Sequence, residues 1–150
     1  MKLAEALQER ADLNRRMQQL RMRLARNATV QEGETPAEDP KQLLAEADEC
    51  AAKLEVLMSA INKTNSETFV DGKSLTELIA HKDALTLRLS VYNELLAEAS
   101  CLTARATRKE IKILSAVNVR QLQKQADDMS RELRLTDNAL QQANWSTELL

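Results

Sequence analysis

The only histidine of the chain, His81, follows Glu77 by four residues in a segment with helical periodicity. Side chains at that spacing lie on one face of a helix, so this carboxylate and imidazole could bind one divalent metal ion together. A catalytic zinc site normally takes three protein ligands. The Glu-x-x-His spacing of di-iron bundles does not occur here. The alternative interpretation is an imidazole on a polar helix face.

A second group of potential metal ligands lies in the stretch "ATVQEGETPAEDP". Its carboxylates could supply oxygen ligands to a hard cation, although their spacing differs from that of a calcium-binding loop. They are Glu32, Glu34, Glu38 and Asp39. The alternatives are a solvated acidic loop and salt bridges to the arginines of the first helix. A divalent cation is the one cofactor that these residues suggest.

The cysteines and the polar stretch "INKTN" have simpler explanations than a catalytic or ligand-binding role. Cys50 and Cys101 have neither a Cys-x-x-Cys partner nor a neighbouring histidine, and we expect both to pack in a core. The residues Asn62, Thr64 and Asn65 could line a small-molecule pocket. Turn formation and helix capping already account for them.

Nucleic-acid binding and catalysis are both disfavoured. The basic run Arg105, Arg108, Lys109 and Lys112 could contact phosphates. The stretch contains no aromatic residue for base stacking, and the chain contains no helix-turn-helix or zinc motif. With two glycines there is no phosphate-binding loop, and no catalytic motif is present. These observations favour a non-enzymatic role.

The composition indicates long helices. The chain of 150 residues has two glycines, two prolines and three aromatic residues, and Ala, Leu, Glu, Lys, Arg and Gln dominate. We predict one all-α domain over residues 1–150, with four long helices in antiparallel hairpins that form a coiled-coil-like bundle. The apolar periodicity places the helices at about residues 2–27, 40–62, 75–104 and 119–143.

Capping and turn residues mark the ends of these helices. Asp39 before Pro40 predicts the start of the second helix. The polar stretch "NKTNSETFVDGK" is expected to end that helix and turn the chain, and Ser74 with Glu77 forms a capping box for the third helix. Asn118 could cap the fourth helix. A short strand in "IKILSAV" that pairs with "ETFV" would form a β-ribbon at these connections.

The first two helices are predicted to form a hairpin because their charges are opposite. Residues 1–27 carry seven Lys or Arg and three acids, a balance of +4, and residues 31–60 carry two and eight, a balance of −6. Arg10 interrupts the apolar seam of the first helix. We therefore expect a buried or half-buried guanidinium paired with an acid from the second helix or from another subunit.

The third helix has apolar residues on two nearly opposite faces. One set is expected to face the core, and the other predicts an interface formed by Leu87, Val91, Leu95 and Leu102. The expected partner is a second copy of the chain, so we predict a homo-oligomer with a dimer as its smallest unit. No run of about 18 apolar residues or signal-peptide pattern is present. We therefore expect a cytoplasmic protein with no membrane partner.

Several stretches spread over the chain resemble one known family. They are "MKLAEALQERADLNRR", "NATVQEGETPAEDP", "INKTN", "DGKSLTELIA", "TRKEIKILSAVNV", "LQKQADDMSRELR" and the closing "NW". The chain resembles the small bacterial helical proteins labelled septicolysin, whose biochemical role is uncharacterised. None of these stretches is a catalytic signature, so the resemblance implies no site residue. The label implies a secreted pore-forming toxin, from which this sequence departs by having no export signal and no membrane-inserting segment.

Three classes of function therefore follow from the sequence. The favoured one is a non-enzymatic, homo-oligomeric structural or interaction protein. The first alternative is an oligomer that binds a divalent metal or a small ligand at the acidic loop or at Glu77 and His81. The second alternative is a nucleic-acid-associated factor.

Overall fold

The computed structural model describes residues 1–101 and 111–150 and confirms the predicted all-α fold class. The helices are α1 (Leu3–Arg26), α2 (Pro40–Glu67), α3 (Leu75–Ser100) and α4 (Val119–Ser146). The strands β1 (Phe69–Val70) and β2 (Lys73–Ser74) form a two-stranded sheet. The prediction of one domain stays a prediction, and the residues group into two compact units. Unit 1 comprises Met1–Phe69 and Ala143–Leu150, and unit 2 comprises Val70–Gln142.

In unit 1, α1 and α2 form the predicted antiparallel hairpin. The Cys50 thiol lies 3.4 Å from the carbonyl oxygen of Leu13, and the Arg16 guanidinium lies 3.4 Å from the Glu46 carboxylate. Contact positions therefore move backward along α2 as they move forward along α1. The buried apolar side chains of the two helices are Leu3, Ala4, Ala6, Leu20, Leu43, Cys50, Leu57 and Ile61.

The connection between α1 and α2 is fixed at both ends by polar contacts. The Arg23 guanidinium binds the Glu38 carboxylate, with Nε lying 3.1 and 3.0 Å from the two oxygens. The Asn27 amide donates to the Arg23 carbonyl at 2.8 Å, and its Oδ1 accepts from the Glu38 backbone N–H at 3.0 Å. Asp39 accepts from the Lys41 N–H and caps α2, as predicted. The hydrogen bond from Arg23 lowers the pKa of Glu38.

Helix α2 continues to Glu67, five residues beyond the predicted end at Asn62. The polar stretch does end the helix, as expected, but later than predicted, because the hydroxyl groups of Thr64 and Ser66 bond to helix carbonyls. Thr64 is fully buried, and its Oγ1 donates to the Ala60 carbonyl at 2.8 Å. The Ser66 hydroxyl donates to the Lys63 carbonyl at 2.8 Å. A hydroxyl that bonds within its own turn does not pull the backbone out of the helix.

The β-ribbon differs from the predicted one. Among the described residues after 110, none forms a strand with "ETFV". Phe69–Val70 instead pairs with Lys73–Ser74 through a turn in which Asp71 and Gly72 have φ angles of 49° and 81°. Two positive φ angles are typical of a type I′ hairpin turn. This local pairing is favoured because closing a two-residue turn costs far less conformational entropy than closing a long connection.

The sequence locates the start of α3 correctly. The Ser74 hydroxyl accepts a hydrogen bond from the Glu77 N–H at 3.2 Å, and the Glu77 carboxylate accepts from the Ser74 N–H at 2.7 Å. This reciprocal pair is the predicted capping box. The hydrogen bond from the Ser74 backbone lowers the pKa of Glu77. Helix α3 then runs to Ser100, and residues 102–104 of the predicted helix lie outside the described residues.

In unit 2, polar pairs join α3 and α4 beside an apolar core. Lys82, which interrupts the apolar face of α3, lies 2.5 Å from the Asp137 carboxylate and lowers its pKa. The Asn118 side chain caps α4, as predicted, by accepting from the Gln121 N–H at 3.1 Å. Helix α4 extends to Ser146, three residues beyond the prediction of 143. The buried side chains of these helices within unit 2 are Leu75, Leu85, Leu96, Ala126, Met129 and Leu140.

We predict that Glu38→Gln makes stability less dependent on pH in the acid range. The folded-state pKa of Glu38 lies below its ordinary value, so ionisation of this carboxyl stabilises the fold above the ordinary glutamate pKa of about 4.3. That stabilisation is lost as the pH falls through the lowered pKa. The midpoint of urea unfolding should fall less between pH 7 and pH 3 in Glu38→Gln than in the wild type.

The matched control is Glu34→Gln, which changes an exposed carboxylate in the same connection. It should show the wild-type fall in the urea midpoint. The same fall in all three proteins would show that the Arg23 contact does not couple Glu38 to folding.

We predict that Thr64→Val exposes the Leu150 amide to hydrogen exchange. The Thr64 Oγ1 accepts from the Leu150 N–H at 3.0 Å, and valine removes that acceptor at a cost of about 1 kcal/mol. Thr64→Ser loses a methyl group, worth about 0.8 kcal/mol, but keeps the oxygen. Both variants should therefore lose stability. Only the valine variant should show faster exchange at Leu150, and unchanged exchange in that variant would contradict the assignment.

Candidate functional site

The apolar face that the sequence predicts as an interface is exposed in helix α3. Leu87, Val91 and Leu95 are 69%, 58% and 43% exposed, whereas Leu85 and Leu96 on the core side are 5% and 7% exposed. At 100° per residue, Leu85 and Leu87 point about 160° apart. We call Leu87, Val91 and Leu95 the α3 stripe. The fourth predicted interface residue, Leu102, lies outside the described residues.

Charged side chains of both signs border the α3 stripe. Arg88 and Glu94 are exposed and lie about 60° to either side of Val91 around the helix. The Arg88 guanidinium lies 5.5 Å from the centre of the Tyr92 ring, and its NH2 group lies 3.5 Å from the tyrosine hydroxyl. An apolar centre within a polar rim is the usual anatomy of a protein–protein interface.

Unit 1 contains an open apolar groove of about 640 Å³ beside helix α2. Its floor includes Ala52, Val56 and Ala60, which recur every four residues, and Val56 is 72% exposed. The groove is lined by Met1, Glu9, Glu49, Ala52, Lys53, Val56, Leu57, Ala60 and Leu149. We call it the α2 groove. Sequence reasoning missed it because the lining comes from three separate stretches of the chain, although the apolar residues Ala52, Val56 and Ala60 at every fourth position were a signal.

Backbone pairing between the first and last residues of the described chain forms one end of the α2 groove. The Leu3 N–H donates to the Thr147 carbonyl at 2.9 Å, and the Leu149 N–H donates to the Met1 carbonyl at 2.8 Å. The Lys2 ammonium lies 2.6 Å from the Glu148 carboxylate, and its hydrogen bond lowers the pKa of Glu148. This pairing holds Met1 and Leu149 against the groove.

The sequence matches a family of unknown function (DUF6847) over residues 10–149. The chain belongs to this family. It is also similar to a crystal structure described as that of a functionally unknown conserved protein from Corynebacterium diphtheriae. The two share 37% sequence identity and a TM-score of 0.94, and the alignment covers 100% of this chain and 99% of the other. None of the curated proteins matches the sequence.

The descriptions of these relatives carry no activity, and neither bears on the septicolysin label, which stays a hypothesis. Within the described part of the chain, no helix is both long and apolar enough to cross a membrane.

The structure gives the acidic-loop residues separate roles. Arg23 engages the Glu38 carboxylate, and Asp39 caps α2. Glu32 and Glu34 are exposed. Among residues 1–101 and 111–150, no group of three or more His, Cys, Asp or Glu side chains could hold a metal ion.

Glu77 and His81 are also directed to different partners. The Glu77 carboxylate accepts from the Ser74 hydroxyl at 2.9 Å as well as from its backbone N–H. The His81 Nε2 lies 2.9 Å from the Glu132 carboxylate on α4. The pair therefore serves helix capping and a contact between α3 and α4.

The other predicted residues have mixed outcomes. Arg10 is half-buried, and within the described residues no carboxylate pairs with it. Its pairing with an acid of another subunit stays a prediction. Cys50 is buried as expected, but Cys101 is exposed because it lies just beyond the last residue of α3. Of the basic run, only Lys112 is described, and it is exposed.

We predict that purified, desalted protein binds no divalent ion at the acidic loop or at Glu77 and His81. The carboxylates of Glu38 and Glu77 already accept strong hydrogen bonds, and a metal would have to displace those donors. The melting temperature of the protein with added Mg²⁺, Ca²⁺, Mn²⁺, Zn²⁺ or Ni²⁺ should equal its melting temperature with a chelator. A rise of several degrees, or an ion retained after desalting, would revive the metal-binding alternative.

Proposed function

We propose that this protein is a non-enzymatic helical interaction protein that acts as a homo-oligomer, with the α3 stripe as the contact between copies. The observation that supports the proposal is the exposure of Leu87, Val91 and Leu95 on one face of a regular helix. Contiguous exposed apolar surface is uncommon on soluble monomers and usually marks an interaction site.

Burial of the α3 stripe would supply part of the free energy of association. Fully burying a Val or Leu side chain is worth about 1.5–3 kcal/mol, and a two-fold contact buries three such side chains from each copy. These side chains are already partly covered, so the gain is a fraction of that sum. It must also exceed the entropy lost on association, about 4–15 kcal/mol. Neighbouring apolar or charged contacts from the rim would therefore contribute to a stable dimer.

The border of the α3 stripe favours a second copy as the partner. A two-fold interface brings the same surface patch together from both subunits, so the patch must be compatible with itself. Arg88 and Glu94 give the rim both signs of charge, which avoids a uniform repulsion between identical patches. An apolar centre has no such repulsion in any orientation.

We predict that Val91→Glu lowers the mass of the assembly in solution. Val91 is the middle residue of the α3 stripe, so a carboxylate there would be desolvated without a partner when two stripes meet. Light scattering after size exclusion, at about 10 µM protein, should give a smaller mass than that of the wild type. An insoluble variant would leave Leu87→Ser as the second test, with the same expected loss of mass.

The matched control is Ala97→Glu, which adds the same charge at an exposed position of α3. Ala97 lies about 120° from Val91 around the helix, away from the α3 stripe. It should leave the mass unchanged, and circular dichroism should show equal helix content in all variants. A monomeric wild type at this concentration would contradict the proposal, and so would equal masses for the wild type and Val91→Glu.

A further inference from the structure

A second exposed apolar surface lies in the connection that leads to α4. Ile111, Ile113 and Leu114 are 90%, 42% and 75% exposed, and Lys112 between them is exposed as well. None of these residues belongs to a helix or strand. We call residues 111–114 the IKIL segment. Three large apolar side chains in four residues outside any helix or strand resemble a peptide ligand more than a solvated linker.

The α2 groove of unit 1 has the complementary chemistry. Its floor is apolar, and its rim carries Glu9, Glu49 and Lys53. The Lys53 ammonium lies 2.6 Å from the Glu49 carboxylate, and this hydrogen bond lowers the pKa of Glu49. Glu9 has no ion-pair partner among the described residues. The rim therefore offers one uncompensated negative charge beside an apolar floor.

We propose that the α2 groove of one copy binds the IKIL segment of a second copy. Successive side chains of an extended segment point to opposite sides, so Ile111 and Ile113 can both face the groove floor. Lys112 has a long, flexible stem that can reach the rim and place its ammonium beside Glu9. The charge complementarity between Lys112 and Glu9 selects this occupant over an uncharged apolar one.

The dimensions of the two surfaces match. Bound in an extended conformation, the four residues of the IKIL segment would span about 13 Å at about 3.3 Å per residue. The floor from Ala52 to Ala60 spans about 12 Å at 1.5 Å per helical residue. The groove volume of about 640 Å³ lies within the usual range of ligand pockets, about 300–1,000 Å³. This contact uses no residue of the α3 stripe and does not depend on the proposed dimer.

The test is direct binding of the segment as a peptide. A fluorescein-labelled peptide with the sequence of residues 111–118, "IKILSAVN", is titrated with the full chain and followed by fluorescence anisotropy. Saturable binding is expected. The same peptide with Ile113→Asp should bind at least about tenfold more weakly, because an aspartate would be buried on the apolar floor. Absence of saturable binding up to about 1 mM chain would overturn the proposal.

Variants of the chain locate the peptide on the α2 groove. Val56→Asp places a charge on the floor and should weaken binding of the wild-type peptide by about tenfold or more. The control Ala51→Asp adds the same charge on the same helix at an exposed position outside the lining, and should leave affinity unchanged. Equal affinities for the two variants would overturn the assignment of the groove.

A charge exchange tests the pairing of Lys112 with Glu9 even if Val56→Asp does not fold. Glu9→Lys in the chain should weaken binding of the wild-type peptide about threefold to tenfold, and a Lys112→Glu peptide should recover most of that loss. No recovery would overturn the pairing. Val91→Glu should leave peptide binding unchanged, so failure of the proposed α3-stripe dimer and failure of groove binding are separate results.

Discussion

A helix that packs against one neighbour can bury only one side of its surface. In this chain, apolar residues extend beyond the side that is buried. In α3, Leu85 and Leu96 are buried while Leu87 and Val91 remain exposed on a different side. Apolar side chains on both sides of a helix need cover on both sides. The described structure covers one side of α3. The uncovered apolar side, rather than any polar cluster, is therefore the candidate functional surface.

Helix α2 shows the same limit in unit 1. Leu57 and Ile61 are buried, whereas the adjacent Val56 is 72% exposed and forms part of the α2 groove. The ion pairs from α1 to α2 (Arg16–Glu46) and from α1 to the connection before α2 (Arg23–Glu38) join side chains that are 38–60% exposed. Exposed ion pairs typically contribute about 0–1 kcal/mol. The apolar seam therefore stabilises the hairpin, and the charges favour the antiparallel pairing of oppositely charged helices.

The sequence predicts those features whose partners are close together along the chain. The turn at Asp71 and Gly72 and the capping box of Ser74 and Glu77 depend on residues within three positions of one another. Contacts between residues far apart in the sequence were not predictable in this way. The Thr64 hydroxyl accepts from the Leu150 backbone, 86 residues away, and no local pattern encodes that contact. The α2 groove was missed for the same reason, since Glu9, Val56 and Leu149 meet only after folding.

The two proposed surfaces differ in symmetry, and this has a consequence for assembly. A two-fold contact through the α3 stripe joins identical patches and ends with two copies. Binding of the IKIL segment in the α2 groove joins two different patches, so each copy offers one segment and one groove. Contacts between two different patches either close the copies into a ring or continue as an open chain of copies. A protein with both kinds of contact can link dimers into larger assemblies, and the short IKIL segment, with few residues to bury, would form the weaker and more readily reversible link.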